Sequence, residues 1–141
     1  MIKEKGKFKW LEEGDSGRPI ILLHGLMGGI DNFGEMVDLI SAQYKVYGLD
    51  LKLFEGRNLL KVSVKALSDY LYEFMNHLNI ESAVLIGNSM GGHIGLIFTK
   101  NYPEKVDGLI LTGSSGLFEE SMGSSFPRRG DKNYIRRKTE E

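Results

Sequence analysis

Apolar residues along this chain fall into two alternating patterns. Ile20-Ile21-Leu22-Leu23, Lys45-Val46-Tyr47-Gly48-Leu49, Ala83-Val84-Leu85-Ile86 and Gly108-Leu109-Ile110-Leu111-Thr112 are short apolar runs. Such runs mark strands covered on both faces. Elsewhere the period changes to three and four. Val64, Leu67, Leu71, Phe74 and Leu78 predict an amphipathic helix with Ser63 as its N-cap. Ile94, Ile97 and Phe98 mark the apolar side of a second helix, which Asn101-Tyr102-Pro103 ends. A shorter helix is expected over Glu35–Ala42. Phe8–Glu13 is weakly strand-like and runs into the turn Gly14-Asp15-Ser16-Gly17. Strands alternating with helices predict an α/β fold, with a mostly parallel sheet and helices on both faces. Thr112–Gly130 is rich in Gly and Ser and is expected to leave the sheet. Asp131–Glu141 could begin a polar helix capped by Asp131.

Composition narrows the picture. The 141 residues suit one domain. With 18 basic and 19 acidic side chains the formal charge is −1, which gives no broad footprint for nucleic acid or an anionic membrane. There is no Cys, hence no disulfide framework, thiol chemistry or thiolate metal site. The N-terminal Met1–Lys7 is basic without an apolar stretch behind it, so no leader is read there. The longest aliphatic runs are four residues, whereas a membrane span needs about 20. The expected location is the cytoplasm.

Chemistry concentrates at Gly87-Asn88-Ser89-Met90-Gly91, a G-x-S-x-G string followed by Gly92. Chance supplies roughly 0.2 such strings in a chain this rich in Gly and Ser, so context carries the argument. The string lies directly between an apolar strand and a helix, as a nucleophile elbow must. There Ser89 would take a strained backbone and present Oγ at the carboxyl end of the sheet. Gly87 and Gly91 would let strand and helix approach. The Met90 amide at the helix start would face a developing oxyanion. A second donor is expected from the loop His24-Gly25-Leu26-Met27-Gly28-Gly29, with the Leu26 amide as the candidate. His24 is expected to brace that loop by hydrogen bonding. His77, near a helix C-terminus, is explained by charge–dipole stabilisation. No G-x-G-x-x-G, phosphate loop or zinc spacing is present, so no cofactor or metal is expected.

These residues resemble the α/β-hydrolase family. Leu22-Leu23-His24-Gly25, the strand end at Asp50 and Gly87–Gly92 come in that family's order over about residues 8–118. Asn88-Ser89-Met90 and Leu109–Gly113 are similar to the branch of carbon–carbon hydrolases of ring-cleavage products and related esterases. The resemblance implies Ser89 as nucleophile, an oxyanion hole of the Leu26 and Met90 amides, and a small acyl or ketone substrate. It divides the chain into residues 1–116, the N-terminal part of the hydrolase core, and 117–141, the start of a lid or an exit segment. One departure is Asp50-Leu51-Lys52-Leu53-Phe54-Glu55-Gly56-Arg57, where the family often has D-x-x-G-x-G-x-S.

The resemblance also implies an acid and then a His after the nucleophile. Only His93 follows Ser89, one turn into the same helix, which suits packing or helix surface better than a base. Asp107 precedes its strand and should lie at the far end of the sheet. Asp50 precedes the nucleophile and suits loop shaping. Glu119 and Glu120 suit solvent. The chain therefore reads as an N-terminal half, ending after about the sixth strand, inactive or nearly so alone. Gly108–Thr112 would be an open apolar edge, inviting self-association or a complementary chain. Two other readings stay open: a non-catalytic split or truncated module, and an acyltransferase using the same elbow.

Overall fold

The computed structural model describes residues 1–26, 28–51 and 63–115. Among them are six strands: β1 (Ile2–Lys5), β2 (Phe8–Glu13), β3 (Pro19–Leu23), β4 (Lys45–Leu49), β5 (Ala83–Asn88) and β6 (Val106–Thr112). Three α-helices intervene: α1 (Gly34–Ile40), α2 (Val64–His77) and α3 (Met90–Asn101). The strands form one sheet in the order β1-β2-β4-β3-β5-β6. The β1–β2 and β2–β4 pairs are antiparallel; β4–β3, β3–β5 and β5–β6 are parallel.

That order dictates where a site can form. The chain steps from β3 to β4 in one direction, then crosses back over β3 to β5 and on to β6. Right-handed crossovers running in opposite directions put their helices on opposite faces. Accordingly, Val37 of α1 packs on Ile20, Leu22, Val46 and Ile86. On the other face, Leu71 and Phe74 of α2 and Ile94 and Phe98 of α3 pack on Ile21, Leu23, Leu49 and Leu85. The alternation along β3 thus reads as two cores sharing one strand, which is why all of Ile20–Leu23 is apolar. Where the direction reverses, a crevice opens outside the carboxyl ends of β3 and β5.

The expected α2 is present with its cap: Ser63 Oγ accepts the Ala66 N–H at 3.1 Å. The structure also departs from expectation. Ile2–Lys5, read as no element, is a strand, because Gly6 at φ +60 turns the chain back on Phe8–Glu13. α1 is only seven residues, entered through a 3-10 turn over Ile30–Phe33. β6 begins at Val106, so Asp107 lies inside the strand rather than before it. Its carboxylate accepts from Ser82 Oγ at 3.1 Å, at the end opposite Ser89. The His77 ring packs against Phe8, with centroids 5.1 Å apart, and near Trp10; its Nε2 is buried without a partner among the described residues. Aromatic packing in the last turn of α2 also accounts for its place. The loop after Leu51, Glu119, Glu120, the 117–141 segment and the helix expected from Asp131 lie outside the described residues.

Candidate active site

β5 ends at Asn88 and α3 starts at Met90, so one residue makes the turn. That residue is Ser89, with φ 52 and ψ −117 and an exposed side chain. A side chain larger than Gly at positive φ costs of order 1–3 kcal/mol and persists only where the surroundings over-determine it.

The flanking glycines show how tight the surroundings are. A methyl group at Gly91 would stand 2.0 Å from the Leu23 carbonyl oxygen. One at Gly87 would stand 2.6 Å from the Gly91 carbonyl oxygen, and one at Gly92 2.5 Å from Ser114 Oγ. None of these positions can carry a Cβ without the backbone moving. α3 therefore starts pressed against the end of β3, and Ser89 is brought to the loop that follows it. A methyl group at Gly25 would lie 3.0 Å from Ser89 Cβ and 3.5 Å from its Oγ.

That loop is pinned from three sides. His24 is 2% exposed. Its Nε2 accepts the Leu51 N–H at 3.1 Å, so this nitrogen carries no proton. The proton is then on Nδ1, which donates to the Gly25 carbonyl at 2.9 Å. The same carbonyl accepts the Gly28 N–H at 3.1 Å. In a trans peptide the C=O and the following N–H point in opposite directions. Holding the Gly25 carbonyl therefore aims the Leu26 N–H. Asp50 Oδ1 lies 3.8 Å from His24 Nε2, at the end of β4.

The Met90 and Gly91 amides lie in the first turn of α3, where a helix leaves its N–H groups without intrahelical acceptors. Their donors and the helix dipole favour negative charge beside Ser89. Further in, the Gly92 and His93 amides both donate to the Ser89 carbonyl, at 3.1 and 3.3 Å. Among the described residues no imidazole hydrogen-bonds to Ser89 Oγ, and no group of three His, Asp or Glu side chains could hold a metal. No helix among them is long and apolar enough to cross a membrane.

Sequence reasoning missed the contribution of the β6 end. Asn88 Nδ2 donates to the Thr112 carbonyl at 2.7 Å and lies 3.1 Å from its Oγ1. Thr112 and Asn88 are register partners, and each is the last residue of its strand. Only the pairing of β5 with β6 could have revealed this. Beside it, a cleft of about 650 Å³ is lined by Asn32, Phe33, Met36, Ile86, Asn88 and Thr112 among others.

The family model for the alpha/beta hydrolase fold matches residues 18–139. A 2-hydroxy-6-oxononadienedioate/2-hydroxy-6-oxononatrienedioate hydrolase of Escherichia coli is 34% identical over 93% of this chain and 49% of its own length. A putative esterase/lipase of Haemophilus influenzae is 30% identical over 74% of this chain and 37% of its own. Among solved structures, an alpha/beta hydrolase enzyme from the metagenome of Mar Chica lagoon sediments is 41% identical. It superposes with a TM-score of 0.76 over 99% of this chain and 63% of that one. The chain spans half or less of the length of those two curated relatives, both of which are named for hydrolytic activities. With the family match covering most of its residues, and with its sheet and elbow as described, the chain belongs to the α/β-hydrolase fold family.

Proposed function

We propose that Ser89 is the nucleophile of a serine hydrolase acting on an ester, or on a carbon–carbon bond next to a carbonyl. The observation that carries this reading is the strained, exposed Ser89 between β5 and α3, braced by glycines that admit no side chain. A backbone so costly is kept where it serves a reaction. Ser89 Oγ attacks the carbonyl carbon, or activates a water that does, and gives its proton to a base. The carbonyl oxygen becomes an oxyanion held by the Leu26 and Met90 N–H groups, each oriented before the reaction begins. Gly25 gives the substrate room beside Oγ, and His24 keeps the Leu26 amide aimed. The chemistry requires no metal or cofactor.

The base and its acid are proposed to come from polypeptide beyond these 141 residues, in keeping with the greater length of the relatives. Residues 1–141 alone are then inactive or nearly so. The open edge of β6 is where further strands of the same protein would continue the sheet. A second reading, a non-catalytic module needing a complementary chain, is favoured by the lack of an imidazole on Ser89 Oγ among the described residues. The test is turnover of short-chain p-nitrophenyl esters and of a vinylogous 1,5-diketone acid by the full-length natural protein. On one of these, Ser89→Ala is expected to lower kcat by about 10⁴-fold or more. Unchanged turnover on Ser89→Ala would overturn the nucleophile. A natural protein of 141 residues with no turnover would favour the second reading. Adding a competing alcohol and analysing products separates hydrolysis from acyl transfer.

A further inference from the structure

Both main-chain polar groups of Ser89 are held by one short segment, the end of β6 and the turn that follows it. The Ser89 N–H donates to the Thr112 carbonyl at 3.3 Å. The Ser89 carbonyl accepts the Ser115 N–H at 3.2 Å, besides the two amides of its own helix. Gly113, at φ +61, reverses the chain between these contacts. Ser114 then packs against Gly92, and its Oγ donates to the Ser115 carbonyl at 2.8 Å. The Asn88 side chain and Thr112 Oγ1 tie the base of this turn to the elbow.

We infer that Thr112–Ser115 is a positioning element for Ser89. The turn holds the residue at φ 52 from both sides and so sets the direction of Oγ. A single strained residue between a strand and a helix has two ways to relax: lengthening β5 or fraying α3. The first would need a further partner on β6, but the Thr112 carbonyl takes the last rung of the β5–β6 ladder and Gly113 turns the chain away; binding the Ser89 carbonyl from outside the helix opposes the second. This extends the site to a segment that touches no reacting atom. Its bearing on catalysis rests on Ser89 being the nucleophile.

Gly113 offers a clean test, because nothing lies within 4 Å of where its Cβ would be. Only the left-handed backbone distinguishes substitutions there. Gly113→Val should abandon that conformation and Gly113→Asn should keep it. The readouts are amide exchange and the 13Cα shift of Ser89 in the chain, and kcat and KM in the full-length protein. Gly113→Val is expected to speed Ser89 amide exchange about tenfold, move its 13Cα shift, and lower kcat about tenfold with KM within about twofold. Gly113→Asn should leave all of these near the wild-type values. Unchanged Ser89 exchange and shift in Gly113→Val would overturn the inference. If Gly113→Val does not fold, Thr112→Val, at an exposed position, decides. About threefold faster Ser89 exchange, restored by Thr112→Ser, supports the positioning role, and wild-type exchange overturns it. Turnover retained by Ser89→Ala would instead remove the nucleophile while leaving the exchange result intact.

Discussion

The sheet has two outer strands, and they are built differently. β1 is four residues long, Ile2-Lys3-Glu4-Lys5, all exposed. Lys3 pairs with Glu12 at 3.1 Å and Lys9 with Glu4 at 3.5 Å. A short, lysine-bearing strand resists pairing with another chain, because its charges would have to be desolvated. β6 is seven residues, and its only charged side chain, Asp107, sits at the start. Its centre is Leu109-Ile110-Leu111. Leu109 packs toward α3, whereas Ile110 is 50% exposed on the face that α1 covers only over β3, β4 and β5. Among the described residues β6 pairs with β5 alone. Among the described residues one edge is finished and the other is open, and the candidate nucleophile stands next to the open one. Charge networks thus lie at the β1 side and strained, closely packed backbone at the β6 side.

The largest expected break of this contrast is at the tight side. Gly91→Ala forces a methyl group onto the Leu23 carbonyl and should cost more than about 3 kcal/mol, or prevent folding, by denaturant titration. At the charged side, Glu12 accepts from Lys45 at 2.8 Å, Lys3 at 3.1 Å and Trp10 at 2.9 Å. Burial pushes its carboxyl up, but these hydrogen bonds and the Lys45 charge outweigh that and hold it at about 2, below its ordinary 4.5. A carboxyl lowered on folding contributes stability above its unfolded value and loses it as pH falls to the folded one. Stability should therefore drop between about pH 4.5 and 2. Glu12→Gln should flatten that drop and cost about 2 kcal/mol at neutral pH. A pH slope unchanged in Glu12→Gln would contradict the network.

Smaller effects sharpen the contrast. Ser89→Gly relieves the positive φ and should stabilise the chain by about 1 kcal/mol while removing reactivity. A loss of stability would mean that the residue is not strained. Ile110→Lys should shift stability by less than about 0.5 kcal/mol yet reduce self-association in sedimentation, making β6 resemble β1. Equal association in both proteins would show that the edge is not open to pairing.

How far the sequence alone reaches differs between the same two sides. The runs at 20–23, 45–49 and 83–86 and the period from Val64 to Leu78 suffice for the parallel part, because burial on two faces or one leaves a direct pattern. The elbow is legible because its glycines are sterically obligatory. β1 is not legible: Ile2–Lys5 has one apolar residue and buries none of its four. His77 is half legible: its place in the last turn of α2 follows from the helix period, whereas its contacts with Phe8 and Trp10 depend on tertiary packing. The hold of Thr112 and Ser115 on Ser89 depends on a parallel pairing across 24 residues, which no local pattern encodes.

The proposed chemistry turns on Ser89 being the reactive nucleophile. The direct measurement is peptide mapping by mass spectrometry after treating the full-length protein with a fluorophosphonate, alongside Ser89→Ala. A single phosphonyl adduct is expected on the peptide containing Ser89, and none in Ser89→Ala. An adduct on another residue, or labelling that persists in Ser89→Ala, would contradict it.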